Sequence, residues 1–414
     1  MKVFKFGGAS VKDASAIRNV AEVLQRYDKD KRVVVVSAMG KTTNALEVLH
    51  GDWYLGRSTE SAWQTVYNYH LQMSDEVLGY MAPALKTALN ELKDIIDSKP
   101  EPDFDKGYDA VVACGELMST ALVAEYLEFL GKKVFLANAR NFIHTNNQYR
   151  EGKVDWSKSA QSSVALKNEM ETSDIIVFQG FIGLSEEGKT ITLGREGSDF
   201  TAAILAFLLE AESVTIWKDV PGMMNADPRR FPNAVILKKI SYREAIELAY
   251  FGASVIHPKT IKPLQNKNIP LYVKSFIRPD ESGTVIQNEM KWDHLITGFI
   301  FKEDQVLISI TPRDFSFVVE ENLMEIFEFL AESSIRINLM ENSAISFSIC
   351  VDNNQRRINH LRELLSEQYE VRYNEKVSLL TIRHGNQSTI EDLTRGHEIL
   401  IEQLSRSTAR LVLR

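Results

Sequence analysis

Val33-Val-Val-Val-Ser-Ala-Met-Gly40 is four β-branched residues in a row followed by a turn of small residues. A strand with one wet face alternates apolar and polar side chains, so an unbroken apolar run predicts a strand covered on both faces, as in parallel sheets. Upstream, Val3-Phe-Lys-Phe6 runs into Gly7-Gly8, and Ile17, Val20, Ala21 and Leu24 then recur at helical spacing. Downstream, further strands are expected at 134–136, 175–178, 214–216 and 271–273, with helices between them and a helical excursion over about 51–108. This alternation implies an α/β fold, a mainly parallel sheet sandwiched by helices, with ligands at the carboxyl ends of the strands.

After Ser282-Gly-Thr284 the texture changes. Val306, Ile308 and Ile310 alternate with polar residues, and Leu323, Ile326, Phe327 and Leu330 form a helical stripe. Ile345, Phe347, Ile349 and Val351 alternate again, a second helix carries 361–365, and strands are expected at 369–373 and 377–382. The order reads βαββαβ, a ferredoxin-like unit, followed by a shorter second copy. The expected division is 1–295, 296–374 and 375–414.

At 414 residues, with 44% apolar and 25% charged residues, the chain has the composition of a globular protein of more than one domain. Its formal charge of −8 argues against a nucleic-acid or anionic-membrane partner, which requires a basic surface. A small anion is still an admissible ligand, because a few lysines and arginines focus a local positive potential. The two cysteines, Cys114 and Cys350, fall in different expected domains and in no metal-type spacing. The chain opens directly on a strand-like run, and no stretch in it reads as the roughly 20 apolar residues that span a bilayer. A cytoplasmic protein is expected.

Five segments carry chemistry. In Thr192-Leu-Gly-Arg-Glu-Gly-Ser-Asp199, two glycines bracket Arg195, Ser198 and Asp199 follow, and an apolar helix begins. Glycine lets backbone N–H groups approach an anion, a helix N-terminus favours negative charge, and arginine forks a carboxylate or phosphate. Lys5-Phe-Gly-Gly-Ala-Ser10 sets a lysine at a strand end. Ser37-Ala-Met-Gly-Lys-Thr-Thr-Asn44 has the Gly-Lys-Thr of a P-loop, but Val35 stands where the first glycine is required, which excludes that motif. Thr43 and Asn44 remain either caps or ligand contacts. Gly115-Glu116 precedes a helical run. Lys218-Asp-Val-Pro-Gly222 and Asn225-Ala-Asp-Pro-Arg229 form a charged turn region, and His257 before Pro258 reads as a packing or capping histidine.

Taken in order, Lys5–Val11, Gly115–Ser119, Gln179–Gly183, Leu193–Asp199 and Asp219–Gly222 with Asp227-Pro-Arg229 resemble the aspartate kinases, which have an amino acid kinase fold and C-terminal ACT domains. The resemblance covers nearly the whole chain. It implies ATP- and Mg2+-dependent phosphorylation of the L-aspartate side-chain carboxylate, the first step toward lysine, threonine and methionine, with amino-acid feedback through the ACT domains and a homodimer or higher oligomer. By the same resemblance, Arg195 and Ser198 bind the substrate α-carboxylate, Glu116 its α-ammonium, and Thr43 and Phe181 line its pocket. Lys5 and Asp199 are catalytic. Gly7, Gly8 and Ser10 meet phosphates, and Lys218, Asp219, Met224, Arg229 and Ser254 serve the nucleotide. No resident protein metal site is implied.

The chain departs from that family at Ser254, where lysine is common, at Met224 (tyrosine), Lys218 (threonine) and Glu196 (glycine). Lys218 or Lys259 is the expected compensation for Ser254. Asn338 stands where lysine-sensitive relatives often carry aspartate. Fusion to a homoserine dehydrogenase is not expected, since no Gly-x-Gly-x-x-Gly is present. The rival readings are a kinase of another amino acid, which Glu116 argues against if that substrate is N-acetylated, and a non-catalytic amino-acid sensor.

Overall fold

The computed structural model describes residues 1–252, 256–289, 291, 293–314 and 316–414. The chain forms two compact units. The first comprises 1–223, 236–246 and 254–292, and the second 224–235, 247–253 and 293–414.

The main sheet of the first unit has eight strands among the described residues: β1 (Lys2–Phe6), β2 (Arg32–Val36), β3 (Val134–Ala137), β4 (Ile175–Gln179), β5 (Ser213–Lys218), β6 (Lys239–Ser241), β7 (Leu271–Ser275) and β8 (Thr284–Gln287), and a small separate sheet joins His144–Thr145, Ile182–Ser185 and Thr190–Thr192. The order in the main sheet is β3-β4-β2-β1-β5-β7-β8-β6, and every pairing in it is parallel except β7 with β8. The all-valine run sits near the middle, and Val33, Val34, Val35 and Val36 are fully buried. This is the doubly covered position that its lack of polar residues predicts.

The helical excursion consists of α2 (Thr42–Tyr54), α3 (Glu60–Leu78), α4 (Pro83–Asp97) and α5 (Phe104–Val112), leading into α6 (Cys114–Phe129). Together with α1 (Ala14–Gln25) these helices pack one continuous apolar core against the sheet. The run 104–129 corrects the sequence expectation: by length and apolar content it could cross a membrane. Its apolar window is 78% buried within the protein, so it is a core helix pair. Both cysteines are buried as free thiols, and burial raises the pKa of each.

The second unit carries a six-stranded antiparallel sheet of β9 (Gly298–Pro312), β10 (Ile337–Asn342), β11 (Phe347–Asp352), β12 (Tyr369–Arg383), β13 (Ile399–Leu404) and β14 (Thr408–Leu413), in the order β10-β11-β9-β12-β14-β13. Helices Glu320–Glu332 and Gln355–Leu365 contribute to one core and Gln387–Thr394 to another. Two expectations change here. The strands foreseen at 369–373 and 377–382 are one strand, so a division at 374/375 falls inside β12. Its register against β9 shifts between Lys302 and Leu307, with Asp304 and Lys376 in left-handed conformations. Ile345 is 48% exposed rather than part of the buried alternation, because a turn closed from Ser343 N–H to the Ser346 carbonyl precedes β11.

Candidate active site

Parallel neighbours share a direction, so β4, β2, β1 and β5 deliver the segments after them to one edge of the sheet. Lys5 is the penultimate residue of β1 and Lys218 the last of β5. Ser37-Ala38 follows β2, and Gly180-Phe181 follows β4. Facing them is the N-terminus of α8 (Gly197–Leu209), with Asp199 in its first turn.

Two glycines allow that approach. A side chain at Gly180 would place Cβ 2.4 Å from Ser198 Cβ, and one at Gly197 would meet the Phe181 ring at 2.5 Å. Phe181 itself has φ 70°, a conformation uncommon for a bulky side chain and found where the surroundings over-determine it. Here its N–H donates to Thr201 Oγ1 at 2.9 Å, and that hydroxyl donates to the Gly197 carbonyl at 3.0 Å. Helix α8 starts from Glu196 in a left-handed conformation (φ 54°), and Ser198 and Asp199 lie within its first turn.

These elements enclose a cavity of about 680 Å³. Lys5, Gly8, Thr43, Glu116, Phe181, Arg195, Ser198, Asp199 and Lys218 all line it. Gly7, Ser10 and Asp219 do not. Met224 and Arg229 belong to the second unit, where Arg229 is 90% exposed and paired with Asp227 at 2.7 Å. Ser254 lies outside the described residues. Lys259 is turned elsewhere, donating to the Leu193 carbonyl at 2.7 Å, so of the two expected compensating lysines only Lys218 reaches the cavity. His257 caps a helix by accepting from the Lys259 N–H at 3.2 Å.

The charges are arranged at two ends. At one, Asp199 Oδ1 lies 2.6 Å from Lys5 Nζ and Oδ2 lies 3.5 Å from Lys218 Nζ. Burial acts to raise the Asp199 carboxyl, but the two ammonium groups outweigh it, and the group is held ionised below the usual carboxylate range. At the other, Glu116 on α6 is 4% exposed. One carboxylate oxygen accepts the Ala38 N–H at 3.2 Å, while Oε2 is buried with no hydrogen-bond partner. Burial pushes this carboxyl up to about 8, against the smaller opposing effects of the Ala38 N–H and Lys5. Arg195 is exposed on the cavity wall and has no carboxylate partner among the described residues. An orphaned buried carboxylate and a free guanidinium in one cavity complement a zwitterion that brings both opposite charges.

One supporting residue was not foreseen. Asp109 is fully buried and accepts from the N–H groups of Arg150 and Thr192, each at 2.9 Å, and from the Thr192 hydroxyl at 2.6 Å. It thereby ties the 150 loop to the strand that leads into Leu193-Gly-Arg195. The signal was present as a lone aspartate in the otherwise apolar Asp109-Ala-Val-Val-Ala-Cys114.

With this geometry in view, the wider relationships fall into place. The amino acid kinase family matches residues 1–275. The chain is 30% identical over 352 residues to the lysine-sensitive aspartokinase 3 of Escherichia coli, covering 84% of this chain and 78% of that one. It is 31% identical over 363 residues to the bifunctional aspartokinase/homoserine dehydrogenase of Buchnera aphidicola, covering 83% of this chain and 43% of that one, so it spans less than half of the longer relative. The crystal structure of E. coli aspartokinase III with aspartate and ADP superposes with a TM-score of 0.82 at 26% identity, covering 100% of this chain and 96% of that one. The same enzyme with lysine and aspartate gives 0.84 at 26%, covering 100% and 95%. This chain belongs to the amino acid kinase family and, within it, to the aspartokinases.

Proposed function

We propose that the chain transfers the γ-phosphoryl group of ATP to the side-chain carboxylate of L-aspartate, giving 4-phospho-L-aspartate. The observation that carries this reading is the buried, partnerless Glu116 Oε2 sharing a cavity with the unpaired Arg195. Glu116 takes the α-ammonium, and Arg195 with Ser198 takes the α-carboxylate. Thr43 and Phe181 bound the side chain, which points toward Lys5.

The attacking group is a carboxylate, already ionised near neutral pH, so no general base is needed. What remains is positioning and neutralisation of charge. Lys5 and Lys218 supply two positive charges at the transferring group, and Gly8 lets the phosphates approach the first turn. Asp199 holds both lysines in place. Asp199, which meets both lysines, is the carboxylate that could hold Mg2+ at this end, with nucleotide phosphates and waters supplying the other ligands. The ion would draw charge from the β- and γ-phosphate oxygens.

The antiparallel sheet of the second unit we assign to paired ACT domains, spanning roughly 296–414, that bind an amino-acid effector. The E. coli relative crystallised with lysine supports an effector of that class. Edge strands β10 and β13 offer unpaired backbone groups for a homodimer or higher oligomer, and a cytoplasmic setting agrees with a biosynthetic role.

Trapping the product with hydroxylamine tests the reaction. Incubation with ATP, Mg2+ and L-aspartate should yield aspartyl hydroxamate in step with ADP release. Hydroxamate from glutamate or acetylglutamate alone would reassign the substrate, and none from any amino acid would leave a sensor.

A further inference from the structure

A second cavity, of about 460 Å³, lies between helices α7 (Trp156–Thr172), α8 and α10 (Pro258–Asn266) of the first unit. Its walls are aromatic. Trp156 meets Phe207 edge-on at 5.0 Å between centroids and 69°, and Phe200 completes the apolar face. Its cations are Lys153, Lys259 and Lys262. Among the described residues none of these three ammonium groups has a carboxylate partner, whereas the neighbouring Lys267 is paired with Glu210 at 3.0 Å. Lys259 donates to the Leu193 carbonyl and lies over the face of Phe200, 5.7 Å from its centroid.

Three lysines line this mostly apolar hollow in a chain of net charge −8, and an anion would supply the countercharge they lack. The aromatic walls call for one with a flat apolar body, since stacking and burial reward such a shape. Lysine, unlike arginine, imposes no planar fork, so a carboxylate or a phosphate meets the same demand.

We infer that this pocket is a binding site, separate from the aspartate and ATP cavity, for a small planar aromatic anion. The ring slots against Trp156, Phe200 and Phe207, and the anionic group faces Lys153, Lys259 and Lys262. The inference does not depend on the proposed reaction. Half-burial of Lys259, which lowers its pKa against the more distant Glu151 and Glu196 carboxylates, agrees with a cation short of counter-charge.

The test is calorimetric titration of the full chain with 2-naphthoate, its neutral analogue 2-naphthalenemethanol, and inorganic phosphate. The expected result is saturable binding of one naphthoate per chain in the presence of saturating ATP and aspartate. Both the neutral alcohol and phosphate alone should bind about tenfold or more weakly. The double variant K153Q/K262Q should lose naphthoate affinity by a similar factor. Should it fail to fold, as judged by its thermal melt, the three-ligand comparison on the unaltered chain decides alone. Non-saturable binding, equal binding of the alcohol or of phosphate, equal binding by a folded K153Q/K262Q, or displacement by ATP or aspartate would each overturn the site. So would Trp156→Ala altering the sedimentation of the chain while leaving naphthoate affinity intact, because the pocket would then belong to a contact between copies.

Discussion

Glu116→Gln offers the most incisive test of the active-site assignment, because the same carboxyl governs ligand affinity and stability in opposite directions. With its pKa pushed up to about 8 by burial, only about a tenth of the empty sites carry an ionised Glu116 at pH 7. The substrate ammonium requires the ionised form. Aspartate affinity should therefore strengthen about tenfold per pH unit below 8 and level off above it, with nearly one proton released per aspartate bound at pH 7. Calorimetry in two buffers of different ionisation enthalpy counts that proton directly. In Glu116→Gln the slope and the proton both vanish, and affinity at pH 8 falls by about 3 kcal/mol or more, the cost of stripping one partner from a buried pair. Stability moves the other way. A carboxyl whose native pKa lies above its unfolded value of about 4.3 favours the native state below that value, and the benefit is lost as pH rises through about 8. The difference is worth at most about 5 kcal/mol, so Glu116→Gln should unfold at higher denaturant than the wild type at pH 8 and gain little at pH 4. Flat aspartate affinity between pH 6 and 8, or normal binding by the variant, would refute the role given to Glu116.

Arg195→Ala should raise the aspartate half-saturation strongly while nucleotide binding survives; parallel loss of both would remove it from the α-carboxylate. Lys5→Ala should lower turnover with only a modest change in half-saturation, the signature of an interaction made chiefly in the transition state. A large rise in half-saturation at unchanged turnover would contradict that. Asp109→Ala leaves the buried Thr192 N–H and hydroxyl unpaired and frees the part-buried Arg150 N–H, and should cost about 2–5 kcal/mol in chemical denaturation, with weaker aspartate binding as the Arg195 loop loosens; a stability change under 1 kcal/mol would show the clamp to be dispensable. Glu196→Gly should stabilise the chain by about 1 kcal/mol, since φ of 54° suits glycine and Glu196 Oε2 is buried without a partner. Unchanged or reduced denaturation midpoints would show that the side chain contributes more than its backbone strain removes.

Local pattern carried most of the fold. The unbroken valines of β2 predicted a covered strand because burial on both faces leaves no place for a polar side chain. The site was legible where a chemical type is unusual in its setting, as with Lys5 at a strand end or Arg195 between glycines. Asp109 escaped notice because its hydrogen-bond partners lie 41 and 83 residues away in sequence, beyond any periodicity. Lys259 could not be separated from Lys218 by sequence, since the choice of cavity is decided by how α10 packs on α8. Likewise, nothing local announced that 369–373 and 377–382 join into one strand, because continuity across Lys376 depends on pairing with β9.

That joined strand has a consequence for how the C-terminal region can be taken apart. Strands β9 and β12 are two full-length planks, each nailed to both ends of the same floor, and β14 binds only the far end of β12. Sawing the chain after 374 would not remove a separable module. It would strip 298–302 of its strand partner and cut β12 in two, so the two halves of this sheet are not separable modules.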